Sequence, residues 1–156
     1  MKNLIFVLII SISLSAHSQE VQVINAEDLQ QKMLYTDSDL TVFNFWATWC
    51  RPCINELPYF DEVGKRENVK VYLVSLDARD RLEKVRSLII KKSLASEVLF
   101  LDEKDPETYI EKVSNKWTGA IPATLFITRS GEVYFHESAF TKEELEQVVN
   151  KYLTLN

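Results

Sequence analysis

Glycine is nearly absent from this chain, with 3 residues in 156, and proline is limited to 4. No Pro/Gly-rich linker, internal repeat or low-complexity tract divides it, so one continuous folded unit is expected. Cysteine is scarcer still, with 2 residues; a small secreted scaffold stapled by bridges carries more. Soft ligands are few, since His136 and Met33 are the only histidine and methionine beyond residue 18. That leaves little from which to build a metal clamp around the cysteines. Basic residues form no cluster, and phosphate binding needs a basic surface, which argues against a nucleic-acid partner. The short runs at Lys91-Lys92 and Asp102 to Asp105 read as solvated faces. The longest apolar run, Leu4 to about Leu14, falls well short of the ~20 residues that span a bilayer.

What is present is enough for a core. A chain of this length that is 46% hydrophobic buries one compact interior and is expected to form a single domain. Lys2, the apolar run and the small-residue pattern Ala16-His17-Ser18 together predict a secretory signal peptide over residues 1–18, cut after Ser18. The length of the run disfavours the alternative, an uncleaved anchor, and no cysteine follows it to accept a lipid. Removing residues 1–18 deletes Lys2 and no acid, leaving 17 basic (18 − 1) against 23 acidic side chains, a formal charge of −6. Residues 19–156 are then the exported domain, placed in the periplasm or outside the cell, where a disulfide persists.

Apolar, β-branched-rich runs at Thr41–Ala47, Val69–Leu76, Val98–Leu101 and Ala123–Thr128 read as strands, and Glu132–Glu137 continues after the turn Arg129-Ser130-Gly131. Helical patterns fill the spaces: Ala26–Tyr35, Arg51–Arg66, Asp80–Lys92, Pro106–Lys116 and Lys142–Leu153, the last behind a capping box that starts at Thr141. Near-continuous apolar strands alternating with helices imply an α/β fold with a central, mostly parallel sheet covered on both faces. The pair joined by the turn is expected to be the antiparallel exception, at one edge.

The chemistry concentrates in Asn44–Phe60, "NFWATWCRPCINELPYF". Cys50 follows the strand and Arg51-Pro52 open a helix, which places Cys50 at the N-cap and Cys53 at the third helical position. Residues i and i+3 in a helical turn have Cα atoms roughly 5 Å apart, within disulfide range. The positive end of the helix dipole and the neighbouring Arg51 favour the Cys50 thiolate. Cys50 is therefore the candidate nucleophile and the more shielded Cys53 the resolving thiol. A purely structural staple is a weak alternative, because so short a loop constrains the unfolded chain little. His136, alone in a strand pattern, reads as an exposed strand residue.

"VFNFWATWCRPC" with the later "GAIPATLFI" resembles the thioredoxin superfamily, and within it the extracytoplasmic TlpA-like or ResA-like thiol-disulfide oxidoreductases. The resemblance runs from the active-site strand to the final helix. It implies a thioredoxin fold, α/β with a mixed sheet, and an enzyme that exchanges disulfides through the cysteine pair without cofactor or metal. Trp49 matches a tryptophan that shields the family's active site, with ordinary packing as the alternative. Pro58 matches a proline that kinks the active-site helix. Pro122 matches a cis-proline facing the disulfide, and the backbone of Ile121 matches the position that pairs with an extended substrate. Asn44 stands where cytoplasmic thioredoxins have a buried aspartate, and it cannot titrate. Glu56 matches a glutamate that assists proton transfer in the ResA-like branch, and its i,i+3 spacing from Cys53 puts it on the cysteine face. Burial there would raise its pKa and suit it as a base for Cys53; dipole compensation in the helix's first turns is the alternative.

The resemblance further implies exported protein disulfides as substrates, a membrane protein as electron donor, a monomer, and a reductant with a place in cell redox homeostasis and cytochrome c biogenesis. A disulfide oxidant or isomerase is the alternative within this chemistry, and a copper-thiol binding module outside it. The region Asp77–Trp117 exceeds what a minimal thioredoxin needs, so it reads either as a specificity-bearing insertion or as plain sheet cover.

Overall fold

The computed structural model describes residues 20–155; the predicted signal peptide lies outside the described residues. The elements in order are β1 (Val21–Ile24), α1 (Ala26–Leu34), β2 (Leu40–Trp46), α2 (Arg51–Val63), β3 (Val69–Ser75), a 3₁₀ turn (Arg79–Arg81), α3 (Leu82–Lys92), β4 (Glu97–Leu101), α4 (Glu107–Val113), β5 (Ala123–Thr128), β6 (Val133–His136) and α5 (Lys142–Leu153). The six strands form one sheet in the order β1-β4-β3-β2-β5-β6. Among the described residues no helix is long and apolar enough to cross a membrane.

Alternation along the strands divides the interior into two layers. In β2, whose seven residues are all buried, Leu40, Val42 and Trp46 face one side, where they meet Leu57 and Phe60 of α2, Val85 and Ile89 of α3, and Leu145 and Val149 of α5. Phe43 and Phe45 face the other side, against Leu29 of α1 and Tyr109 and Val113 of α4. Period two therefore puts Asn44 on the α2 side, beneath the helix that carries the cysteines.

The predicted elements stand, apart from boundaries and one strand. β1, only four residues long, pairs with β4 at the sheet edge and lies outside the predicted strands. The antiparallel part of the sheet is also larger than expected, because β5 pairs antiparallel with β2 as well as with β6. The physical reason lies in the connection after α4, which delivers β5 to the opposite flank of β2 and starts it at the end of the sheet where β2 finishes: Ala123 is paired with Phe45. The Asp77–Trp117 region is built into the sheet and its two covering layers. β4 lies within the sheet between β1 and β3, while α3 and α4 bury Val85, Ile89, Tyr109 and Val113 against its two faces.

Two glycines meet a steric demand. Gly131 takes φ +85° in the β5–β6 turn, a conformation L side chains rarely adopt. At Gly64, which ends α2, a Cβ would come within 3.1 Å of Val71 on β3.

Candidate active site

β2 leaves the sheet at Trp46, and the chain turns through Ala47, Thr48 and Trp49 before α2 begins. The Cys50 N–H donates to the Ala47 carbonyl at 3.0 Å and closes this turn. Cys50 is the N-cap, and its Sγ accepts from the Cys53 N–H at 3.3 Å, so the sulfur occupies the place where an anion is favoured at a helix start. Pro52 sits in the first turn, where no intrahelical partner for an N–H is needed. The two cysteines are joined in a disulfide with Cα atoms 5.3 Å apart. Cys50 keeps 6% exposure and Cys53 none, so an incoming group can reach only the first sulfur. Trp49 is 62% exposed and stands outside the core.

The antiparallel placement of β5 completes the site. Because Ala123 is in register with Phe45, the residues just before β5 fall beside the turn after β2. Ile121–Pro122 is a cis peptide, and the Ile121 carbonyl lies 3.8 Å from Cys50 Sγ. Two segments 71 residues apart thus meet at one sulfur.

Glu56 is 1% exposed. Its Oε1 accepts from Asn44 Nδ2 at 2.9 Å, and its Oε2 accepts from the Phe140 N–H at 2.7 Å. Asn44 Nδ2 also donates to Thr124 Oγ1 at 3.2 Å. Burial pushes the Glu56 carboxyl up to about 7, against the two hydrogen bonds, which work to lower it. A glutamate placed merely to offset the helix dipole would stay wet. This one is buried one turn along from Cys53, and it can exchange a proton near neutral pH.

The AhpC/TSA family profile matches residues 10–136. The chain belongs to the AhpC/TSA family. Among curated relatives, it is 31% identical over 119 residues to the thiol-disulfide oxidoreductase ResA of Oceanobacillus iheyensis, covering 70% of this chain and 55% of that protein. It is 29% identical over 136 residues to ResA of Bacillus cereus, covering 85% and 70%. The chain thus spans little more than half the length of the first. Solved structures show the thioredoxin fold. A thioredoxin-related protein of Neisseria meningitidis superposes with a TM-score of 0.65 at 17% identity, covering 78% of this chain and 90% of that one. A secreted Mycobacterium tuberculosis disulfide oxidoreductase homologous to E. coli DsbE gives 0.58 at 21%, covering 72% and 81%.

Within this AhpC/TSA chain, three residues beyond those singled out from sequence support the site. Phe140, just before the N-cap of the last helix, supplies Glu56 with its second donor. Asp77 holds Thr48 in the turn before Cys50. Glu137 accepts from the Thr118 and Ala120 N–H groups, each at 3.1 Å, and from the Thr118 hydroxyl, so it clamps the loop that leads into Ile121–Pro122. Burial would raise the Glu137 pKa, but these donors hold it below the usual range. None of the three had a local sequence signal, since each acts on a segment at least 17 residues away. His136 departs from the exposed residue expected: it is half-buried, stacked at 4.1 Å on the Phe140 ring and hydrogen-bonded to Ser138.

Proposed function

We propose that the protein is an extracytoplasmic thiol-disulfide oxidoreductase that reduces disulfides in exported proteins and is itself re-reduced by a membrane electron donor after residues 1–18 are removed. The observation that carries this reading is the placement of Cys50 Sγ, capping α2 and 3.8 Å from the Ile121 carbonyl. A thiolate there attacks one sulfur of a substrate disulfide, forming a mixed disulfide and releasing the other substrate sulfur as a thiol. Cys53, once deprotonated, attacks Cys50 Sγ, re-forms the bond seen in the structure and releases the second substrate thiol. Two electrons pass to the substrate, and the two protons come from the cysteines.

Glu56 serves the second step as proton acceptor for the shielded Cys53. An extended substrate pairs with the backbone at Ile121, and the exposed Trp49 ring next to Cys50 shields the site. The apolar N-terminal run and the secreted structural neighbour support an extracytoplasmic site of action. The Arg51-Pro52 dipeptide and the ResA relatives support a reductant, for which apocytochromes are candidate substrates.

A redox titration of the pair against glutathione gives the direction of exchange; a potential near that of thioredoxin is expected, and one near that of the strong oxidant DsbA would reverse it. Cys50→Ser should abolish reduction of a model disulfide, and Cys53→Ser should accumulate a mixed disulfide visible by non-reducing electrophoresis. Wild-type turnover by Cys50→Ser would overturn the assignment of the nucleophile.

A further inference from the structure

Asp77 is a carboxylate that this chemistry leaves unused. It is 3% exposed and lies two residues past the end of β3. Its Oδ2 accepts from the Thr48 N–H at 2.8 Å and from Ser75 Oγ at 3.0 Å, while its Oδ1 accepts from Thr48 Oγ1 at 2.6 Å. Ser75 Oγ is itself the acceptor for the Asp77 N–H at 3.2 Å, which leaves the hydroxyl proton for the carboxylate. All the partners therefore donate, and both carboxylate oxygens serve as acceptors.

The grip falls in the middle of the turn that presents the sulfur. Thr48 precedes Cys50 by two residues, and two trans peptide links reach at most about 7.6 Å. The strand pairing before it is extended by the Leu76 N–H on the Trp46 carbonyl at 2.8 Å. The charged and titratable groups beside Asp77 are Arg79, Asp80, Asp102, Glu103, Lys104 and Tyr109, which line the same depression. Arg79 is engaged by Asp102 at 2.6 Å. From the α2 side, the groups nearest the cysteines in sequence are Arg51 and Glu56.

We infer that Asp77 is a positioning residue for Cys50, fixing the β2–α2 turn and placing a buried negative charge that opposes ionisation of the sulfur and biases the pair toward disulfide. The inference rests on the thiol-exchange reading of the site and deepens it. The helix start and Arg51 stabilise the thiolate, Asp77 works against them, and a destabilised thiolate gives up its electrons more readily.

The test uses the reduced protein, with the rate of Cys50 alkylation by iodoacetamide followed by mass spectrometry against pH, together with the equilibrium against glutathione. Asp77→Asn keeps the shape and removes the charge. The alkylation midpoint should fall, and the glutathione equilibrium should move about tenfold toward the dithiol, roughly 30 mV for a two-electron couple. If both profiles match wild type, Asp77 only folds the turn and the inference is overturned. Should Asp77→Asn fail to fold, Thr48→Val serves instead: it removes one donor and leaves the charge less dispersed, so the midpoint should rise, and an unchanged or lowered midpoint overturns the inference. Alkylation reads the sulfur whether or not the protein reduces a substrate. A wild-type protein without exchange activity would thus sink the proposed function and leave this result standing.

Discussion

At Glu56, two effects of opposite sign meet, and burial outweighs the two donors. The consequence for stability follows from linkage. The folded-state pKa, about 7, lies above the ordinary 4.5, so the stabilising state is the protonated one. Stability from this residue is fully present below pH 4.5 and is lost as pH rises through 7. A shift of this size corresponds to a difference of about 3 kcal/mol. Glu56→Gln should therefore gain stability over wild type progressively from pH 4.5 to above 7, as read from urea unfolding of the oxidised protein at a series of pH values. A constant gap between the two proteins would show that the carboxyl does not titrate in that range. Asn44 is suited to such a neighbour. Its Oδ1 is buried and accepts no hydrogen bond among the described residues, so rotation of the amide offers an acceptor to a protonated Glu56 where Nδ2 now serves the carboxylate. An aspartate at 44 would add a second buried carboxylate beside the first. Asn44→Asp should accordingly raise the Glu56 pKa further, seen as an upward shift in the pH profile of Cys53 reactivity.

The elements show which parts of this site were legible in the sequence. The cysteine pair, its N-cap position and the 5 Å spacing were readable because they depend on one helical turn and its dipole, all within four residues. Glu56 could be placed on the right helix face for the same reason. Its partners could not, because Asn44 and Phe140 reach it only once β2 lies under α2 and α5 closes over both. The antiparallel entry of β5 was hidden too, since an apolar run such as Ala123–Thr128 carries no mark of direction. β1 escaped because four residues with two exposed carry too little pattern. The loop between α4 and β5 illustrates the same non-local logic. It is held from β6's end by Glu137 and from within by Trp117, whose Nε1 donates to the Ala120 carbonyl at 2.8 Å while its ring packs on Phe45 and Phe135. Glu137→Ala should loosen the backbone leading into Ile121, the segment proposed to pair with an extended substrate. KM for a peptide disulfide is expected to rise severalfold, with the rate toward a small symmetrical disulfide unchanged; equal losses on both substrates would count against a role in substrate pairing.

On the scale of the whole molecule, the fold and the direction of electron flow are tied by one thermodynamic cycle. Reduction and unfolding can be carried out in either order, so the difference in unfolding free energy between oxidised and reduced protein equals the difference in reduction potential between the folded and the unfolded pair, at about 1.4 kcal/mol per 30 mV. Two features of the folded state pull in opposite directions. The helix start and the Cys53 N–H favour an anion on Cys50 and so favour the reduced form. Burial of Cys53, its 5.3 Å spacing from Cys50 and the Asp77 charge beside the turn favour the disulfide, because a buried thiolate is costly and the bond needs little backbone movement to close. A reductant is a protein in which the second set prevails. The oxidised form should then resist urea better than the reduced form at pH 7, by a margin that agrees with the measured potential, and Asp77→Asn should narrow that margin. If the reduced form proves the more stable, the folded state stores its advantage in the thiolate, and the protein would work as an acceptor of electrons from its substrates.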